Sequence, residues 1–175
     1  MSSTDDLQYE FEQFSKKKFN LKDEIISAEW MISGLAIPHL YEFFAIKEGR
    51  KLDSIPTSKE VFASIDSDPI STKAFGHFLR NLGTCLAHLG AAMLPDDGIF
   101  LSGSILTATV EHLKKDVEKG ENSILLRAFT NNKCVGPYLK TVPLYFTTEK
   151  DLGMKGCWNF LQLLASNPPT EMSHL

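Results

Sequence analysis

The sequence has no excess of positive charge and no long hydrophobic run. It contains 18 Lys and Arg residues against 22 Asp and Glu residues, so the formal net charge is −4. Proteins that hold nucleic acid through its phosphate backbone carry a basic surface, which this composition does not provide. No stretch approaches the roughly 20 continuous apolar residues that span a bilayer. We therefore expect neither nucleic acid nor a membrane as a partner.

Cysteine is scarce, and the N-terminus does not have the pattern of a secretory signal. The three cysteines, Cys85, Cys134 and Cys157, are an odd number without Cys-x-x-Cys spacing. They are typical of reduced thiols in an intracellular protein rather than of a disulfide framework or a zinc site. Acidic residues lie near Met1 where a secretory signal has positive charge followed by an apolar run. The sequence thus predicts an intracellular protein, with no metal site.

The rest of the composition is that of one globular domain. Hydrophobic residues make up 43% and charged residues 23% of the 175 residues, close to the usual globular mixture. This length is enough to bury a substantial core in one domain. Consecutive prolines at Pro168 and Pro169 end any helix before them. We therefore expect a domain over residues 1–166 and a flexible tail over residues 167–175.

The end of this tail carries a candidate targeting signal. Ser173-His174-Leu175 resembles the peroxisomal address Ser-Lys-Leu, with histidine in place of lysine. An import receptor needs such a signal on an accessible tail, which the two prolines would present. Because a tripeptide can also occur by chance, a cytoplasmic location is the alternative.

Apolar residues at helical spacing predict a chain dominated by helices. Thr57 followed by Glu60 forms an approximate capping box for a short helix. Asp68 and Pro69 provide the cap and the first residue of the longest helix. Further helices are predicted over residues 7–18, 35–47, 104–117, 123–129 and 151–165.

The longest predicted helix combines an apolar face with a stripe of small residues. Because glycine inside a helix costs roughly 1 kcal/mol relative to alanine, Gly83 and Gly90 favour close packing against a neighbouring element. The inward-facing residues that we predict are Phe75, Phe78, Leu79, Leu82, Leu86, Leu89 and Met93 of this helix, Leu40, Phe43, Phe44 and Ile46 of the helix over 35–47, and Cys157, Phe160, Leu161 and Leu164 of the last helix.

Only two segments have the pattern of β-strands. They cover residues 99–101, a short run suited to a buried strand, and residues 142–146, where Pro143 indicates a strand start or a sheet edge. Two strands seldom form a self-sufficient sheet. Either helices cover this sheet completely or its other strands come from elsewhere. The predicted fold class is therefore α/β, rich in helices and with an incomplete sheet.

The best candidate site is the turn after the first strand, Ser102-Gly103-Ser104-Ile105. Glycine lets a ligand approach the backbone, the serines offer hydroxyl groups, and a helix N-terminus presents free N–H groups. Ser and Gly also occur in such turns simply as helix caps. A second Ser-Gly pair, at residues 33–34, likewise leads from an apolar stretch into a helix.

The order of these features resembles the C-terminal lobe of a bacterial-type glucokinase, in the superfamily of sugar kinases, actin and heat-shock ATPases. The resemblance covers roughly residues 7–165 and implies the actin-like ATPase (ribonuclease H-like) fold. Ser33, Gly34 and Ile37 match the family's Ser-Gly-x-Gly-Leu motif, in which Ala36 replaces the second glycine. The turn over residues 102–105 matches an Ala-Gly-Gly-Ile-like adenosine motif, in which serine replaces the second glycine.

The resemblance implies ATP-dependent phosphorylation of glucose to glucose 6-phosphate, at the head of glycolysis. It places an adenine nucleotide against Ser33, Gly34, Ser102, Gly103, Ser104 and Ile105. The family's Asp-x-Gly-Gly-Thr and Gly-Thr-Gly phosphate loops do not occur in this sequence. Because phosphoryl transfer depends on positioned phosphates, Mg²⁺ and an oriented hydroxyl group, we assign no catalytic residue to this chain. Glucose and Mg²⁺ are expected only in a complete enzyme.

The alternative interpretation of the sequence is that the chain is a non-catalytic module that binds nucleotide or docks a partner. The exposed sheet edge and the helical faces would then contact a separate partner lobe, or a second copy in a homodimer. The enzyme interpretation predicts glucose-dependent consumption of ATP, whereas the module interpretation predicts nucleotide binding at most.

A role in glycolysis agrees with the candidate peroxisomal signal at the end of the tail, because some protists keep glycolytic kinases in glycosomes.

Overall fold

The structure, a computed structural model, describes residues 6–21, 27–149 and 151–166, which are mostly helical. The candidate tail over residues 167–175, with Ser173, His174 and Leu175, lies outside the described residues. The elements of the described residues are α1 (Asp6–Phe19), α2 (Glu29–Ile32), α3 (Ala36–Lys47), α4 (Ser58–Ala63), α5 (Pro69–Met93), β1 (Ile99–Leu101), α6 (Ser104–Ala108), α7 (Val110–Val117), a 3-10 turn (Gly120–Asn122), α8 (Ile124–Thr130), α9 (Gly136–Leu139), β2 (Leu144–Phe146) and α10 (Leu152–Ser166).

The central element is α5, which packs against α3 and α8. A Cβ atom at Gly83 would lie 2.5 Å from the carbonyl oxygen of Leu125 and 2.7 Å from Cβ of Ala128. A Cβ atom at Gly90 would lie 2.7 Å from Cδ2 of Leu139. The predicted close packing of the small-residue stripe is therefore confirmed, since α8 and α9 occupy the space of a side chain.

The helix starts predicted at Thr57 and Asp68 are confirmed. The backbone N–H of Thr57 donates to Glu60 Oε2 (2.7 Å), and that of Glu60 donates to Thr57 Oγ1 (3.3 Å). Asp68 accepts from the N–H of Ile70 (3.2 Å) and from the hydroxyl of Tyr41 (2.8 Å). Burial raises the pKa of Asp68, but these hydrogen bonds and the nearby Arg50 outweigh it and lower the pKa. Asp68 thus ties the start of α5 to the middle of α3.

The start of α8 is fixed by a buried carboxylate that the sequence did not reveal. Asp116, at the end of α7, accepts from the hydroxyl of Ser123 (2.7 Å) and from the N–H groups of Ile124 and Leu125 (3.1 Å each). Ser123 itself caps α8 by accepting from the N–H of Leu126. Because α8 packs on α5, this cap connects α7 to the core.

The two predicted strands form a parallel pair, with Ile99 opposite Leu144 and Leu101 opposite Phe146. The second strand begins at Leu144, two residues later than predicted. The expectation of a buried first strand is wrong at its centre, where Phe100 is 71% exposed. The Phe100 ring stacks on Tyr145, with 4.7 Å between ring centroids. One face of the sheet thus presents aromatic rings to solvent.

Three further expectations are wrong. The helix predicted over 104–117 is two helices, because the chain breaks at Thr109, whose buried hydroxyl donates to the carbonyl of Ile105 (2.8 Å). Ile46, Leu89 and Met93 are exposed. Because Ala45 and Gly90, next to Ile46 and Leu89, are buried, the exposed side chains lie on the solvent side of α3 and α5. In α10 the helix is confirmed, but every residue is exposed, including the predicted inward residues Cys157, Phe160, Leu161 and Leu164.

Candidate functional site

The structure brings the two Ser-Gly segments together, although most of the chain's core lies between them in sequence. Gly34 precedes α3, and Ile105 lies in the first turn of α6. A Cβ atom at Gly34 would lie 3.7 Å from Cδ1 of Ile105, an ordinary van der Waals separation. Gly34 is held there by the hydroxyl of Ser58, which donates to the Gly34 carbonyl oxygen (2.6 Å). The sequence predicted both segments but not their proximity.

A cavity of about 610 Å³ is lined by both Gly34 and Ile105. Its volume is within the range of roughly 300–1,000 Å³ that small-molecule sites occupy. The walls are formed by α4, α6 and α7, and they combine apolar side chains with a few polar groups. The lining residues are Gly34, Ser58, Lys59, Phe62, Ala63, Asp66, Ser104, Ile105, Ala108 and His112.

The six predicted binding residues fall into two groups. Gly34, Ser104 and Ile105 line the cavity, whereas Ser33, Ser102 and Gly103 lie outside its lining. Gly103 has φ +136°, a backbone conformation that favours glycine, although a Cβ atom there would meet nothing within 4 Å. Glycine at position 103 is therefore explained by the turn.

The helix after this turn is shorter than the sequence predicted. It ends at Ala108 after five residues, so few aligned peptide groups stand behind its N-terminus. A short helix contributes little of the macrodipole that makes long helices attractive to anions. The walls of the cavity, rather than the start of α6, are therefore the feature that can select a ligand.

A charged cluster borders the cavity and was missed by the sequence analysis. Asp66 Oδ2 lies 3.1 Å from Nζ of Lys115 and 3.5 Å from Nε2 of His112. The hydrogen bond from Lys115 holds the pKa of Asp66 below its usual range, so this carboxylate is ionised at neutral pH. No sequence signal joins Asp66 to His112 and Lys115, because their approach depends on how α7 packs beside the segment that follows α4.

The described residues include no group of three or more His, Cys, Asp or Glu side chains placed to hold a metal ion. Among the same residues, no helix has both the length and the hydropathy needed to cross a bilayer.

Comparison with curated proteins identifies relatives that are longer than this chain. The glucokinase of Neisseria gonorrhoeae is 24% identical over 153 residues, which cover 87% of this chain and 43% of that protein. The glucokinase of Helicobacter pylori strain P12 is 24% identical over 159 residues, which cover 87% and 44% respectively. The chain thus spans less than half the length of these relatives.

Solved structures with the same fold are also glucokinases. The glucokinase from an Antarctic psychrotroph superposes with a TM-score of 0.74 at 20% identity, over 93% of this chain and 47% of that one. The glucokinase from Balamuthia mandrillaris in complex with glucose gives a TM-score of 0.72 at 15% identity, over 85% and 40%. These likenesses confirm the predicted actin-like ATPase fold. A model of the glucokinase family matches residues 1–163. Because this match covers nearly the whole sequence, the chain belongs to the glucokinase family.

Proposed function

We propose that this chain forms the adenosine-binding part of an ATP-dependent glucose kinase, a transferase whose product is glucose 6-phosphate. The observation that carries the proposal is that Gly34 and Ile105, one from each predicted nucleotide-binding segment, line the same cavity. The reaction is supported by the similarity to glucokinases. Because these relatives are more than twice as long as the matched region, we infer that this chain carries only part of the enzyme.

The cavity has the chemistry that adenosine requires. Phe62, Ile105 and Ala108 offer apolar surface for the flat adenine ring. The ionised Asp66 can accept a hydrogen bond from the adenine amino group or from a ribose hydroxyl, and Ser104 can donate one. Apolar walls with a few placed polar groups are typical of small-molecule sites. We therefore place the adenine and ribose, rather than the phosphates, in this cavity.

Catalysis is assigned to the portion of the fold that this chain does not span. Phosphoryl transfer requires groups that position the γ-phosphate and orient the attacking hydroxyl group, and we assign neither role to a residue of this chain. Mg²⁺, like the phosphate-binding groups, enters the proposal only through the complete enzyme. Glucose likewise enters the proposal only through the complete enzyme.

Titration of ATP into the purified chain tests the adenosine site. In Gly34→Phe the added ring fills the cavity beside Ile105, and we expect the Kd for ATP to rise about tenfold or more, equivalent to ~1.4 kcal/mol. Gly103→Phe should have a similar effect by distorting the turn before Ser104. Ala92→Phe is the matched control, because Ala92 is exposed near the end of α5 and outside the cavity lining. If the parent chain does not bind ATP, or if the Kd is unchanged in Gly34→Phe, the assignment of the adenosine site is contradicted.

Turnover by the native protein distinguishes the kinase from the module that only binds nucleotide. Formation of ADP that depends on added glucose, by protein isolated from its own cells, supports the kinase. Binding of ATP without any glucose-dependent ADP formation supports the non-catalytic module.

We further propose that Ser173-His174-Leu175 directs the protein to peroxisomes or glycosomes through their import receptor. The supporting observation is the likeness to Ser-Lys-Leu at the end of the sequence. A fluorescent protein fused to the N-terminus should be punctate with the tripeptide and diffuse without it. A diffuse signal in both cases would favour the cytoplasmic alternative.

A further inference from the structure

The last helix, α10, exposes more large apolar side chains than a stable free surface does. All of its residues are exposed, among them Met154 at 71% and Trp158 at 63%. Soluble proteins rarely leave contiguous apolar patches larger than a few hundred Å² in water, and larger patches mark interaction surfaces. The exposed surface of α10 is therefore a candidate contact surface.

The polar residues of α10 form one narrow stripe. They are Lys155, Asn159, Gln162 and Ser166, which follow one another at steps of four, three and four residues. At 3.6 residues per turn, the remaining apolar residues and glycines cover roughly two-thirds of the helix circumference. A surface helix has a narrower apolar face, whereas a helix that is apolar on most sides is buried. The pattern of α10 is that of a buried helix.

The sheet presents a second uncovered apolar surface. Within the described residues, β1 and β2 pair only with each other, so each strand keeps an outer edge without a strand partner. Phe100 and Tyr145 stack on one face of this pair, where both are exposed. Because a two-stranded sheet is marginally stable by itself, this face also needs a cover.

We propose that α10 and the Phe100–Tyr145 face together form the docking surface for the portion of the glucokinase fold that this chain does not contain. This inference rests on the proposed function. More than half of the length of each curated relative lies outside its sequence match to this chain. In the superposition on a solved glucokinase, 93% of this chain aligns with only 47% of that protein. The missing portion is therefore large enough to cover both surfaces, whether it belongs to the same polypeptide or to a separate one.

Two other occupants fit α10 less well. A second copy of α10 would cover only a narrow seam, because two paired helices bury a stripe rather than two-thirds of each circumference. A membrane surface attracts helices rich in Lys and Arg on their polar face. Lys155 is the one charged residue of α10, and its ammonium group already bonds the Glu149 carboxylate. Neither occupant accounts for the exposed rings of the sheet.

Site-specific photocrosslinking in the native cell tests this proposal. Benzoylphenylalanine replaces Trp158, on the apolar arc, and in a matched control it replaces Asn159, on the polar stripe. We expect the probe at position 158 to crosslink about tenfold more product than the probe at 159. Mass spectrometry should identify the crosslinked segment as glucokinase sequence outside the present chain.

Every other result contradicts the proposal. Equal crosslinking at the two positions, crosslinks to residues 6–149, crosslinks to a second copy, and crosslinks to lipid or to an unrelated protein would each identify a different environment for α10. A charge variant adds a second measurement: Trp158→Lys should reduce recovery of the assembly about tenfold, whereas Asn159→Lys should not.

The titration of ATP separates this inference from the proposed function. If ATP binding depends on Gly34 but α10 does not crosslink as expected, the docking surface fails and the nucleotide site stands. If α10 crosslinks as expected but no ATP binds, the nucleotide site fails and the docking surface stands.

Discussion

The helices α5 and α10 are both rich in apolar residues, but one is covered within the chain and the other is not. In α5 the apolar face is buried by α3 and α8, and its glycines admit α8 and α9 at close range. In α10 the apolar residues cover most of the circumference, and all are exposed. The apolar pattern of a helix therefore indicates whether the helix is buried in the complete protein. The exposure of its residues in this chain indicates whether the elements that cover it belong to the chain.

The largest expected effect comes from removing one aromatic ring from each helix. Phe78 in α5 is 1% exposed, so Phe78→Ala should lower the free energy of unfolding by about 3–5 kcal/mol through loss of burial and formation of a cavity. Phe160 in α10 is 61% exposed, so Phe160→Ala should change the free energy of unfolding by less than about 0.5 kcal/mol. Urea unfolding followed by circular dichroism measures both. Similar losses for the two variants would show that α10 is buried within the chain.

A smaller effect sharpens the comparison within α5 itself. At Gly83 an added Cβ atom would lie 2.5 Å from the Leu125 carbonyl oxygen, so Gly83→Ala should destabilise the chain by about 1–3 kcal/mol. At Gly76 the nearest atom is Cδ1 of Ile124 at 3.4 Å. Gly76→Ala should therefore be neutral or stabilise the chain by up to ~1 kcal/mol, because alanine favours the helix. The same unfolding experiment would contradict close packing of α8 if both variants stabilised the chain.

The smallest effect is at the first residues of α5 and depends on pH. Asp68→Ala removes a helix cap and should cost about 1 kcal/mol at pH 7. The folded-state pKa of Asp68 is lowered, so the carboxylate contributes stability above the unfolded pKa near ~4. This contribution is lost as pH falls through the folded-state pKa. The difference in unfolding free energy between Asp68→Ala and the parent chain should thus shrink below about pH 4. A difference that grows on acidification would contradict this assignment.

Local features of the fold could be predicted from the sequence, as could its class through the family resemblance, but the identity of the elements that pack together could not. The caps at Thr57 and Asp68 and the two strands follow from neighbouring residues, and all were predicted. The exposure of α10 was not predicted, because apolar spacing identifies a face without identifying what covers it. The same limit applies to the candidate site. Gly34 and Ile105 belong to predicted segments, but the approach of Asp66 to His112 depends on packing between elements distant in sequence.

Hydrogen–deuterium exchange tests most directly whether the cover of α10 lies outside the chain. In the isolated chain, amides of α5 should exchange slowly and amides of α10 rapidly, since local stability follows the burial of apolar contacts. In the native assembly, exchange over residues 152–166 should slow about tenfold or more, while exchange in α5 stays nearly unchanged. Protection of α10 equal to that of α5 in the isolated chain, or no slowing of α10 in the assembly, would contradict this account.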